Sequence, residues 1–188
     1  MAKVELIGVY GLEQSIKGSK FPMSTDVSLL NDEITTTVGK LASSPIGSGH
    51  DNFLNGITVI FDLTFSNKAW VEAERYTFLN FISSQSTMHK ISQFDIRNAC
   101  NDYVTDTILT ECEKLLYAYK LNPTPQNYLR LLYNIPSGFE LTARMTTNYR
   151  CLKNIYNQRR NHRLPDWQVF CDWCETLPHF KDWFVKEK

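Results

Sequence analysis

The sequence has no excess of either charge: 20 Lys and Arg stand against 20 Asp and Glu in 188 residues. A formal net charge of +0 leaves it without the broad electrostatic footprint of a nucleic-acid binder. Aromatic residues, 13% of the chain, are spread through apolar stripes as core residues are, not gathered as a base-stacking platform. Nucleic acid is therefore not an expected partner. Long apolar runs are also missing, which excludes a membrane-spanning helix. The opening MAKVELIGVYGLEQ carries Glu5 and Glu13 and no small-residue cleavage site, so no secretory signal is expected. Five scattered cysteines, Cys100, Cys112, Cys151, Cys171 and Cys174, are an odd number and form no disulfide framework. These absences leave one domain over residues 1–188, in a reducing, cytoplasmic compartment.

Familiar chemical motifs are absent as well. No G-x-G-x-x-G follows a strand, no G-x-x-x-x-G-K precedes a helix, and H-E-x-x-H does not occur. Ser137-Gly138 lacks the preceding glycine of a nucleophile elbow. Cys171-Asp172-Trp173-Cys174 has the spacing of half a zinc site. A second pair is missing and only His162 and His179 lie nearby, so both thiols are read as small core residues and no metal is assigned.

The pattern that is present reads as α+β: a helix-rich single domain with a small, mostly antiparallel sheet. Lys3–Tyr10 and 56–65 read as strands, each rich in apolar or β-branched residues. The stretch 17–23 reads as a loop. Thr25 or Asp26 caps an expected helix carrying Val27, Leu30, Ile34, Val38 and Leu41. Residues 43–52, with two Gly, one Pro and three Ser, read as a loop. Helices are expected over 66–81 and 94–121, the second stopped by Asn122-Pro123-Thr124-Pro125. A short helix over 126–133, a strand over 139–146, a helix from an N-cap at Thr147 to Arg159, and a last helix over 166–176 complete the series.

The basic run Arg159-Arg160-Asn161-His162-Arg163 has two readings. One is a solvated helix end whose charge complements the macrodipole. The other is an anion site, because guanidinium groups grip phosphate in bidentate fashion.

Two stretches bear on that choice. Asn148-Tyr149-Arg150-Cys151-Leu152, with Asn154 inside and Arg159 eleven residues after Asn148, resembles the C-terminal signature of the flavin-dependent thymidylate synthases. That signature opens N-A-R-S-L and ends on the arginine of an L-R pair. Ile135-Pro136 and Thr142 are similar to the family's L-P segment and following threonine. Gly49-His50 resembles the family's G-H loop, followed by strand 58–63 and then by Arg75, where the R-H-R motif begins. Lys3-Val4-Glu5-Leu6 is similar to its first strand. The R-H-R motif reads Arg75-Tyr76-Thr77 in this chain, and the Glu-x-Ser-x-Arg loop is matched loosely by 84–90, with Ser86 standing for the serine.

The resemblance implies the synthase fold and an enzyme that methylates C5 of a deoxyuridine nucleotide such as dUMP. FAD would be the cofactor, with methylene-tetrahydrofolate and NADPH as co-substrates and a homotetramer as the assembly. Arg159 would stand against the pyrimidine and stabilise negative charge as the ring is activated, which suits a side chain that stays charged. Asn148, Arg150 and Asn154 would contact the flavin, with His50, Asn52 and Arg75 added from another subunit. Ser86 and Arg130 would hold the nucleotide phosphate, and Tyr76 would stand where the family has its histidine. On ideal helical geometry Asn148 and Arg159 share a direction with Leu152 and Ile155, while Arg150 and Asn154 share another. The competing reading is a nucleotide-binding protein that keeps the fold and has lost the flavin chemistry.

Overall fold

The structure, a computed structural model, describes residues 1–185. It is built on a four-stranded antiparallel sheet in the order β1-β2-β4-β3. The strands are β1 (Lys3–Tyr10), β2 (Thr58–Ser66), β3 (Asn80–Ser84) and β4 (Glu140–Asn148). The helices, in chain order, are α1 (Leu12–Ser19), α2 (Thr36–Ala42), α3 (Asn67–Ala73), α4 (Thr87–Lys90), α5 (Asp106–Leu121), α6 (Pro125–Tyr133), α7 (Tyr149–Arg159), α8 (Pro165–Cys174) and α9 (Phe180–Phe184). The expected α+β class, helix-rich around a small antiparallel sheet, is the one found.

Period-two alternation explains β2. Val59, Phe61, Leu63 and Phe65 are fully buried, while Thr58, Ile60, Asp62 and Thr64 face the other way. β4 runs antiparallel beside it, with Phe61 opposite Met145 and Asp62 opposite Arg144. On the outer face Arg144 donates from Nε and Nη2 to the two Asp62 oxygens at 2.8 and 2.9 Å. On the inner face α7 and α8 close the core. Leu152 and Ile155 are fully buried, and the rings of Trp167 and Phe170 lie 5.1 and 6.1 Å from Phe65. Each such aromatic buried contributes about 1.5–3 kcal/mol. A second cluster of Ile91, Ile96, Leu109, Leu131 and Phe139 sits under α5 and α6, and Leu141 touches both.

Several sequence expectations give way here. The stretch 17–23 is not a loop throughout: α1 runs to Ser19 and a 3-10 turn follows at Phe21–Met23. Gly11, at φ 74°, makes the sharp entry from β1 into α1. A Cβ there would meet the Gly56 carbonyl oxygen at 2.4 Å, so no other residue fits. The helix expected from Thr25 or Asp26 is only a 3-10 turn at Val27–Leu29. Asp26 accepts from the Ser28 N–H and Asn31 from the Glu33 N–H, and these local bonds compete with a helix. α2 starts later, capped by Thr35.

The expected helix 66–81 ends at Ala73, because β4 offers a free edge that β3 takes up. Phe78 is consequently exposed, and Phe81 stands on a strand against Trp70 with ring centroids 5.1 Å apart. The expected helix 94–121 begins only at Asp106. Residues before it lie along the start of β4, with the Glu140 N–H donating to the Ala99 carbonyl at 2.7 Å and the Asn101 N–H to that of Gly138 at 2.9 Å. The N-cap of α7 is Asn148 rather than Thr147: its Oδ1 accepts from the Cys151 N–H at 2.9 Å, while Thr147 is turned into the interior.

Candidate functional site

A cleft of about 1090 Å³ lies between α1, α2 and the loop that joins α2 to β2. Its walls mix apolar Pro22, Met23, Leu41 and Phe53 with polar Ser15, His50 and Asn52. Gly49, at φ 79°, allows the turn that brings His50 to the rim.

Between His50 and Asn52 the chain dips inward, and Asp51 is buried. α7 supplies its partners. Lys153 Nζ lies 2.7 Å from Oδ2, and Arg150 Nε lies 3.1 Å from Oδ1. Arg150 therefore stands behind the loop that carries His50 and Asn52, joined to it through Asp51.

A smaller notch of about 180 Å³ opens at the N-terminus of α7. It is lined by Asn55, Thr58, Phe78, Asn80, Thr146, Thr147 and Asn148. The Thr147 Oγ1 is buried and has no hydrogen-bond partner among the described residues. Three asparagines, Thr58 and Thr146 thus line one notch beside the positive end of a helix dipole.

At the other end of α7, Arg159 is engaged on several sides. Its Nη1 donates to Glu72 Oε2 at 2.9 Å and its Nε to Tyr76 Oη at 2.7 Å. Its guanidinium carbon lies 4.8 Å from the centre of the Trp167 ring, a cation–π contact. Tyr76 Oη donates onward to Gln158 Oε1 at 3.0 Å, and Gln158 Nε2 donates to Asn154 Oδ1 at 3.1 Å. Asn154 and Arg159 are thereby coupled by one polar chain. Glu72 also accepts from Trp167 Nε1 at 3.2 Å and lies 3.3 Å from His162 Nε2. Burial alone would raise the Glu72 carboxyl, but the Trp167 hydrogen bond and the charges of His162, Arg159 and Lys68 outweigh it and leave it below the ordinary value.

The remaining expected residues stand apart. Arg75 is exposed just past α3. Ser86 precedes α4 and Arg130 lies exposed on α6; Tyr128 Oη, donating to the Met88 carbonyl at 2.6 Å, ties these two helices together. Within one chain the expected residues therefore fall into separate places: His50 and Asn52 with Arg150 behind them, Asn148 in the notch, Asn154 with Arg159, and Arg75, Ser86 and Arg130 each apart. The helical-face geometry expected for Asn148 and Arg159 is replaced, because Asn148 caps α7 from outside the helix.

Sequence reasoning passed over Asp51, Lys153, Glu72, Gln158, Asn55 and Asn80. Lys153 carried a signal, since it falls between the apolar Leu152 and Ile155 on an otherwise buried stretch. Glu72 carried one too, as an acid two residues after Trp70 on a helix facing the core. Cys171 and Cys174 are core residues: burial pushes the Cys171 thiol up to about 12, and Cys174 well above its ordinary value. Among the described residues no group of His, Cys, Asp and Glu is arranged to hold a metal ion, and no helix is long and apolar enough to cross a membrane.

Neither a known protein-family profile nor a curated protein matches this sequence. Solved structures do match. The chain superposes on thymidylate synthase X from Helicobacter pylori with FAD and dUMP at a TM-score of 0.74, over 98% of both chains, with 14% identity. A second structure of the Helicobacter pylori enzyme, also complexed with FAD and dUMP, gives 0.71 over 97% of this chain and 98% of that one, again at 14% identity. The chain has the fold of the flavin-dependent thymidylate synthases. At this identity the likeness is one of fold.

Proposed function

We propose that this protein binds FAD and a pyrimidine deoxynucleotide and methylates, or transfers a related one-carbon unit to, C5 of a deoxyuridine nucleotide such as dUMP. The observation that carries the reading is the full-length match to synthase structures holding FAD and dUMP. The donor set at the notch is chemically suited to such ligands. Carboxamides both donate and accept, as do threonine hydroxyls, which matches the alternating N–H and C=O edge shared by uracil and the flavin ring.

Asn148, Arg150, Asn154, His50, Asn52 and Arg75 would hold FAD, the last three from another subunit of a homotetramer. Ser86 and Arg130 would hold the nucleotide phosphate. FAD, when bound, would supply the hydride, with NADPH as the reductant and methylene-tetrahydrofolate as the source of the carbon. The chain's own part is electrostatic and positional. Arg159 is fixed by Glu72 and Tyr76, and its remaining N–H groups serve the pyrimidine oxygens. Tyr76 takes the place of the family's histidine and, through Gln158, aligns Asn154 with Arg159.

One observation favours a second reading, a nucleotide-binding protein without flavin chemistry. Glu72 lies 2.9 Å from Arg159 and offsets its positive charge, which weakens it as a stabiliser of a developing anion. Tritium release from 5-tritiated dUMP separates the two. Release that requires FAD, NADPH and methylene-tetrahydrofolate together supports the synthase. Saturable dUMP binding with no release under the same conditions supports the second reading.

A further inference from the structure

Lys153 is the most deeply placed cation in the site, with its side chain 5% exposed. Its ammonium has three hydrogens and three acceptors: the Ala42 carbonyl at 2.8 Å, the Ser44 carbonyl at 2.6 Å and Asp51 Oδ2 at 2.7 Å. The Phe184 ring lies 5.7 Å away and shields it. The acceptors are not scattered. Ala42 ends α2, Ser44 opens the following loop, and Asp51 closes that loop. One side chain on the buried helix α7 thus ties both ends of the segment that lines the large cleft. Within the loop, Gly47 and Gly49 have φ of 88° and 79°, so the backbone between the tied ends follows a path that favours glycine. Asp51 also lies between His50 and Asn52, so where Asp51 is held decides where those two stand.

We infer that Lys153 is a positioning residue: its ammonium, clamped on Ala42, Ser44 and Asp51, locks the loop onto α7 and sets the place of His50 and Asn52 in the cleft. The ligand affected would be the flat, ring-bearing cofactor assigned above, and that part rests on the proposed function. The lock itself does not.

Three variants test it. Lys153→Met keeps the length and apolar stem and removes all three contacts. It leaves Asp51 buried beside Arg150 alone, a charge with too little compensation to stay inside. Amide hydrogen exchange over residues 43–56 is expected to quicken by about tenfold or more, with β2 and β4 unchanged. FAD affinity should fall by about the same factor, since the competent loop becomes a minor state. The double variant Asp51→Asn with Lys153→Met removes the stranded charge and should regain global stability while loop exchange stays fast and affinity stays low. A residue of merely structural importance would regain both. Asp51→Asn alone keeps the carbonyl contacts, and quickens exchange around 50–56 but not around 43–45; it reads the same lock even where Lys153→Met does not fold. Unchanged loop exchange in these variants, or quickening spread evenly over the sheet, overturns the inference. Wild-type protein that fails to retain FAD overturns the proposed function, and the exchange measurement still decides the lock.

Discussion

Replacing Glu72 by Gln attacks the point on which Arg159 depends. The carboxylate and the guanidinium are 14% and 12% exposed and 2.9 Å apart, and the same oxygen accepts from Trp167 Nε1 at 3.2 Å. A glutamine offers one acceptor and turns an NH₂ toward these donors. Removing one partner of a fully buried pair costs about 3–5 kcal/mol, and of an exposed pair about 0–1. Glu72 and Arg159, each slightly exposed, lie between these limits, so we expect about 2 kcal/mol. In urea, with a slope of about 2 kcal/mol per molar for a chain of this size, the midpoint falls by about 1 M. The pH dependence has a definite sign. Because the folded Glu72 carboxyl lies below its ordinary value of 4.5, its contribution is complete above that value and is lost as pH falls through the lowered one. The gap between wild type and Glu72→Gln therefore holds above about pH 5 and closes in more acid solution. A gap under about 0.5 kcal/mol at neutral pH would mean that the pair behaves as a surface pair. A gap that widened in acid would refute the charge assignment itself.

Asn148 serves as a helix cap and as a wall of the notch, and two substitutions separate the roles. Asn148→Ala should lose about 1 kcal/mol in urea unfolding, whereas Asn148→Asp keeps a capping oxygen and should stay within about 0.5 kcal/mol. Both should weaken FAD binding, because neither presents an amide; full binding by Asn148→Asp would remove this residue from the site. All five cysteines are free and buried, and burial raises the Cys100 thiol to about 11 and that of Cys171 to about 12. A colorimetric thiol reagent at pH 8 is expected to find no fast-reacting cysteine in the native protein and all five in denaturant. One rapid native equivalent would contradict the packing of that residue.

The parts of the fold legible in the sequence are those where a local pattern and the tertiary context agree. Strands β1 and β2, the proline stop after α5, and α6 and α7 each carry their own signal, and each lies within two residues of where it reads. β3 was hidden because its pairing with β4 is non-local. Asn80 and Phe81 find partners at Thr146 and Met145, and nothing around them marks an edge strand. The stretch before α5 failed for the same reason: Ala99, Cys100 and Asn101 bond to residues 138–140, which a helical stripe of Ile96 and Ala99 does not reveal. Among the site residues, spacing singled out Asn148, Arg150, Asn154 and Arg159 through a resemblance. It could not show that Arg159 is held by Glu72, or that Asp51 and Lys153 meet, since those partners lie 87 and 102 residues apart. Ion pairs between distant elements leave no periodicity to read.

The most direct test of the proposed function is the visible absorbance of the purified protein after incubation with FAD and desalting, with and without dUMP. A flavin band retained near one equivalent per chain, weakened in Asn148→Ala and Arg150→Ala, is the predicted result. Protein that emerges colourless in both conditions, while still folded by circular dichroism, would contradict the flavin reading.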